Sequence, residues 1–174
     1  TNPYGTSKLI IEKILEDLSR ESHWNIRVLR YFNPVGCHES GLIGENITNH
    51  TPNLFPVIIN IYNNPSVKLN IFGNDYNTKD GTCIRDYIHV VDLARAHVSI
   101  FEDIKKRNTK YDVFNIGSGR GYSVLEIVEC FNKVCNNKIQ YEFKEKRKGD
   151  IAICYADTSK AFKCLGWKPC LLYT

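Results

Sequence analysis

A chain of 174 residues, 43% apolar and 24% charged, has the make-up of an ordinary soluble protein with one real core, either one domain or part of a larger fold. Its net charge of +4 permits an anionic small ligand, and no basic stripe interleaved with aromatics argues for nucleic acid. Seven cysteines, an odd count with no C-x-x-C among them, argue against a disulfide framework or a zinc site and fit reduced, mostly buried thiols in a cytosolic protein.

The chain opens TNPYGTSK. Pro3 suits a first helical position, and Asn2 or Thr1 can cap it. Leu9, Ile10, Ile14 and Leu18 then recur at helical spacing with charged residues between them, which predicts an amphipathic first helix. NIRVLRYF (25–32) reads as a strand and NPVGCHESGLIGEN as a loop. Asn46 and Asn49 match the glycosylation pattern, which matters only in a secreted chain. PNLFPVIINIYNN (52–64) reads as a helix despite Pro56, and its apolar run is too short to span a membrane. VKLNIFG (67–73) alternates like a strand, and a polar loop leads to a short strand at IRDYI. A helix is predicted over 90–106 and a strand over 111–117. Ser123 and Glu126 form a capping box for the next helix. KIQYEF (138–143) reads as a strand, and Asp157 is placed to cap a short helix ended by Gly166. Strands alternating with helices make the class α/β. The final KPCLLYT has neither cap nor periodicity, and the chain contains no Met, so truncation at both ends is expected.

Several stretches carry chemistry. Tyr4 and Lys8 stand one turn apart on the first helix. An ammonium beside a phenol favours the phenolate, which suits a general base; taken alone, the pair reads better as a buried aromatic beside a solvated lysine. FNIGSGRGYS follows a strand and precedes a helix, as a dinucleotide fingerprint does. Its spacing, Gly117-x-Gly119-x-Gly121, is not G-x-G-x-x-G, and Glu126 would repel a second anion, so a tight turn is favoured. RYFNPVG (30–36) sets polar groups at a strand end, equally an ordinary strand end or a ligand edge. An Arg85–Asp86 pair reads as structural and His89 as a cap. Lys146, Arg147 and Lys148 read as a solvated face, or Arg147 joins Arg85 in a clamp on a diphosphate; spacing does not choose.

YGTSK, LRYFNPVG, NLFP, NIFGNDYNTKDGTCIRDYIHVVDLA, NIGSGRGYSV, KGD…CYAD and LGW occur in this order. That combination resembles the UDP-glucose 4-epimerases, within the extended short-chain dehydrogenase/reductase family, over about residues 1–169. The resemblance implies a Rossmann-type α/β fold with a smaller α/β substrate-binding domain. It also implies that the chain is the C-terminal half, following an NAD loop and a catalytic Ser or Thr that lie upstream.

The resemblance further implies NAD as cofactor and a UDP-sugar as substrate. Tyr4 matches the catalytic base and Lys8 the lysine on the nicotinamide ribose, both touching cofactor. Tyr31 matches a contact to cofactor and substrate, and Phe32 and Asn33 match substrate contacts. Asn53, Leu54, Asn70, Ile71 and Phe72 match positions lining uridine and diphosphate. Arg85 and Arg147 match the diphosphate clamp, and Asp150 a ribose hydroxyl contact. Cys154 matches a position facing the sugar, where a small side chain leaves room for a 2-acetamido group. A cytoplasmic homodimer, with no metal, membrane or nucleic-acid partner, is implied for the full-length protein. A related nucleotide-sugar dehydratase or decarboxylase, and a non-catalytic UDP-sugar-binding module, are the alternatives.

Overall fold

The structure, a computed structural model, describes residues 2–45, 53–136 and 138–171. Asn46 and Asn49 therefore lie outside the described residues. Helix α1 spans Pro3–Glu21, and the Asn2 side chain caps it by accepting from the Gly5 amide at 2.8 Å. Strands β1 (Ile26–Tyr31) and β2 (Asn33–Val35) follow, then α2 (Leu54–Asn63), β3 (Leu69–Phe72), β4 (Ile84–His89) and α3 (Val90–Lys106). The rest is β5 (Tyr111–Ile116), β6 (Gly121–Ser123), α4 (Val124–Cys135), β7 (Tyr141–Lys144), β8 (Ile153–Cys154) and α5 (Ser159–Leu165).

Parallel pairing dominates, as the α/β pattern predicts. β1 pairs with β5, β2 with β4, β3 with β7 and β8 with β4, all parallel, while β6 runs antiparallel to β4. β4 is thus a hub with three partners. Two cores flank these ladders. One joins Ile88, Leu93, Ile100, Phe114, Ile116 and Trp167 beneath α3 and α5. The other joins Ile58, Ile61, Leu69, Ile71, Val128 and Ile139 between α2, β3 and α4. Each such side chain contributes roughly 1.5–3 kcal/mol on leaving water.

Three short strands were not visible in the sequence. β2, β6 and β8 have two or three residues each, too few for a period, and exist because β4 offers its edges to them. The strand predicted over 138–143 is displaced: Ile139 enters the core, and the ladder with β3 begins at Tyr141. The last helix is preceded by Thr158 rather than Asp157, although the Asp157 carboxylate does accept from the Ser159 amide at 2.9 Å. The prediction of mostly buried thiols fails. Only Cys83 is buried among the seven; Cys37, Cys130, Cys164 and Cys170 are exposed, and all are free. Among the described residues, no helix is long and apolar enough to cross a membrane.

α1 is fastened to the sheet on one side by Glu12, which receives Arg30 at 2.8 and 2.5 Å and whose carbonyl accepts from the Tyr111 hydroxyl at 3.3 Å. The bond from Arg30, ahead of any cost of burial, holds the Glu12 carboxyl below its ordinary range. Elsewhere on α1, Leu9, Ile10 and Ile14 are each more than half exposed.

Candidate functional site

The two arginines singled out in the sequence lie beside one carboxylate. Arg85, on β4, donates through Nη1 to the carbonyls of Ile84 and Ile151, both at 2.8 Å, and its Nη2 stands 3.7 Å from Asp150. Arg147 donates through Nε to the other Asp150 oxygen at 2.9 Å, and its guanidinium stacks 4.9 Å from the centre of the Phe72 ring. The turn that makes this possible closes at Gly149, whose φ of +89° suits glycine, with the Asp150 amide donating to the Arg147 carbonyl at 3.2 Å. Gly149 also faces the start of α1: a Cβ there would lie 3.8 Å from the Asn2 Nδ2. Lys146 turns away, to Asp75 at 2.9 Å and over the Tyr76 ring at 4.6 Å. KEKRKGD is therefore not one solvated face, because Arg147 folds back towards Arg85.

Cys154, half-buried on β8, is the registered neighbour of Arg85, so both side chains leave the sheet on the same face. On β3, Asn70 and Phe72 face outward while Ile71 is buried in the second core. Only the backbone of Ile71 is left to face a ligand, a limit that the alternation of a strand imposes.

Tyr4 lies in the first turn of α1, 72% exposed, with the Lys8 Nζ 5.3 Å from its ring centre. The pair shares a face as the spacing predicts, and it is not a buried aromatic. Tyr31 closes β1 at its carboxyl end and is 56% exposed. The Phe32 amide continues the ladder to the Ile116 carbonyl at 3.1 Å, and the Asn33 Nδ2 donates to the Asp86 carbonyl at 2.7 Å. Asn53 precedes α2 without capping it and donates to Glu45 at 3.4 Å, and Leu54 packs on the second core.

The expected Arg85–Asp86 pair does not form. Alternation along β4 sends the two side chains to opposite faces, and Asp86, fully buried, turns to the glycine turn. One of its oxygens accepts from the Ser118 amide and hydroxyl at 2.7 and 2.6 Å. The other accepts from the Gly119 and Ala156 amides, both at 3.0 Å. The amides that a phosphate would need at FNIGSGRG are thus taken by the protein's own carboxylate. This is why the turn, with Gly119 at φ +75°, is not a cofactor cradle. His89 caps α3, its Nδ1 accepting from the Val91 amide at 3.2 Å.

A family model described as GDP-mannose 4,6 dehydratase matches residues 1–172. The chain is 50% identical over 169 residues to the UDP-glucose 4-epimerase of Bifidobacterium longum, covering 97% of this chain and 49% of that protein. It is 49% identical to the UDP-glucose 4-epimerase of Bacillus subtilis, covering 97% of this chain and 50% of that protein. The crystal structure of the Bifidobacterium longum UDP-glucose 4-epimerase in complex with NAD+ and UDP superposes with a TM-score of 0.92 at 49% identity, over 98% of this chain and 51% of that one. The chain spans about half the length of the curated relatives it matches. By its match over nearly every residue, it belongs to the family that the GDP-mannose 4,6 dehydratase model describes, and within that family it is similar to the UDP-glucose 4-epimerases.

Proposed function

We propose that residues 1–174 are the C-terminal portion of an NAD-dependent enzyme that interconverts UDP-glucose and UDP-galactose at C4 of the sugar. In this reading the portion comprises the catalytic helix and the UDP-sugar-binding region. The observation that carries the proposal is the convergence of Arg85 and Arg147 beside Asp150, in a turn that abuts the helix bearing Tyr4 and Lys8. Two guanidiniums suit a diphosphate, and similarity to enzymes named for this reaction supports the sugar nucleotide.

The donor set on α1 fits a nicotinamide ribose. A phenol and an ammonium share one exposed turn, and an exposed tyrosine, Tyr31, ends a parallel strand nearby in sequence. When bound, NAD supplies reversible hydride exchange with C4 of the sugar. Tyr4 removes the proton from the 4-hydroxyl as that carbon is oxidised, and returns it on reduction. Lys8, one turn along the same face, holds the ribose hydroxyls. Arg85 and Arg147 hold the diphosphate while the 4-keto sugar turns, so that hydride returns to the opposite face. Asp150 accepts from a ribose hydroxyl of the uridine. Phe32, Asn33, Asn53, Leu54, Asn70, Phe72 and the backbone of Ile71 complete the walls. Cys154 faces the sugar, and its small side chain admits UDP-GlcNAc and UDP-GalNAc as well.

The full-length enzyme is proposed to be a cytoplasmic homodimer, a reading that rests on the similarity to UDP-glucose 4-epimerases. The dehydratase description of the family model favours one second reading, a nucleotide-sugar dehydratase. The test is product analysis of the full-length protein incubated with UDP-galactose. UDP-glucose as sole product supports epimerisation; a 4-keto-6-deoxy sugar overturns it in favour of the dehydratase, and UDP binding without turnover in favour of a binding module.

A further inference from the structure

We propose that Asp86 is the positioning residue that holds the substrate-contacting side chains of this site in register. The inference rests on the UDP-sugar reading above. Asp86 touches no proposed substrate contact through its carboxylate, yet it reaches three segments, two of which carry such contacts. Its carbonyl fixes the Asn33 amide at the start of β2. One carboxylate oxygen fixes Ser118, and the other fixes Gly119 and Ala156, which lies two residues beyond Cys154. Its chain neighbour Arg85 occupies the opposite face of β4.

The contact is built to one shape. All four donors to the carboxylate are neutral N–H or O–H groups, at 2.6–3.0 Å, and the residue is 0% exposed. A Cβ on Gly117 would stand 2.5 Å from an Asp86 oxygen and 2.7 Å from the Ala156 Cβ, so glycine is needed there by close approach. An anion buried without a cation persists only if its lone pairs are filled, and these are filled by three backbone amides and the Ser118 hydroxyl. A carboxylate presents acceptors on both oxygens. An asparagine presents them on one, and its NH2 would face the Gly119 and Ala156 amides in one orientation and the Ser118 amide in the other, where the Ser118 hydroxyl can turn to accept. Replacement should therefore release the 117–119 turn or the 155–157 segment. Cys154 and Arg85 then lose their fixed separation, while Tyr4 and Lys8, on α1, keep theirs.

The experiment compares wild type, Asp86→Asn and Ser118→Ala in the full-length protein, by peptide-level hydrogen exchange, titration with UDP, and NAD content of the purified enzyme. For Asp86→Asn we expect exchange about tenfold faster in the 117–119 or 155–157 peptides, UDP affinity about tenfold weaker, and NAD content unchanged. Ser118→Ala removes one of the four bonds to the carboxylate, together with the hydroxyl's bonds to the Arg120 carbonyl and amide at 3.1 and 3.2 Å, and should move UDP affinity, and exchange in the 155–157 peptides remote from Arg120, the same way by about two- to fivefold. It decides the matter alone if Asp86→Asn does not fold. Unchanged exchange overturns the proposal, as does loosened exchange with unchanged UDP affinity, or a loss of NAD in step with UDP, which marks a general structural role. A wild type that never binds UDP overturns the reading of the site; the exchange comparison still decides whether Asp86 tethers the two segments.

Discussion

Removing the Arg85 guanidinium should weaken UDP binding by the full-length protein more than removing that of Arg147. Both are proposed to meet a diphosphate, but they differ in how far they are organised beforehand. The Arg85 side chain is 20% exposed and its Nη1 is already fixed by the Ile84 and Ile151 carbonyls, each at 2.8 Å. The Arg147 side chain is 53% exposed and is held by one bond to Asp150 and the Phe72 ring. A charge-assisted bond contributes about 1.5–3 kcal/mol, which converts to about 10- to 150-fold in affinity. Ordering a free arginine costs up to about 2 kcal/mol of rotamer freedom, a cost Arg85 has largely met in folding and Arg147 has not. Solvent and salt also screen Arg147 more. Arg85→Ala should therefore lose about 100-fold in UDP affinity and Arg147→Ala about tenfold, the latter shrinking as salt is raised. Calorimetric titration with UDP at two ionic strengths reads both, with thermal melts to confirm folding. An inverted order would show that preorganisation does not govern the clamp; unchanged affinity in both would show that there is no clamp.

Three further outcomes follow from the packing. Asp103→Ala strands Arg27, whose side chain is 1% exposed and 2.8 Å from that carboxylate, so denaturant unfolding should show a loss of about 3–5 kcal/mol; a loss below about 1 kcal/mol would mean the pair is solvated. Cys154→Tyr should abolish turnover of UDP-GalNAc and largely spare UDP-galactose, since overpacking beside Arg85 costs roughly 1–3 kcal/mol or more; a wild type inactive on UDP-GalNAc, or a variant still active on it, removes Cys154 from specificity. Burial alone would push the Asp92 carboxyl up, but the Leu171 and Cys170 amides, the Cys170 thiol and Arg95 outweigh it and hold it below its ordinary value. The unfolded chain therefore takes up that proton first, so the tether on residues 170–171 is complete above about pH 4 and is lost only as pH falls towards the lower folded value. Trp167, which donates to the Asp92 carbonyl at 3.2 Å, should report the release by fluorescence in a Trp24→Phe background, and release near pH 6 would contradict this.

What could be read from the sequence was local. Pro3 after Asn2, the Ser123–Glu126 capping box and Gly166 each act within a turn, and all appear where predicted. Val90–Lys106 matched at both ends because its 3.6-residue period runs unbroken from His89 to Arg107. What was hidden was long-range. β2, β6 and β8 are created by the edges of β4, across as many as 69 positions between Arg85 and Cys154, and leave no pattern of their own. Asp86 beside Arg85 suggested a pair, yet pleating parts neighbours, and the true partners stand 32 to 70 residues away. The one available signal was a charged residue among apolar strand positions with a glycine turn still to be paired. Tyr4 and Lys8 were legible as neighbours from spacing alone, whereas their role came from the resemblance.

The most direct measurement is the steady-state rate of UDP-galactose conversion by the full-length protein, wild type against Tyr4→Phe, with UDP affinity measured alongside. Loss of a positioned base typically costs roughly 10²–10⁴-fold in turnover. The predicted result is a loss in that range with UDP affinity intact, since the phenol lies on α1 and the proposed diphosphate clamp on β4 and the Gly149 turn. A Tyr4→Phe enzyme turning over at near the wild-type rate would contradict the mechanism at its central step.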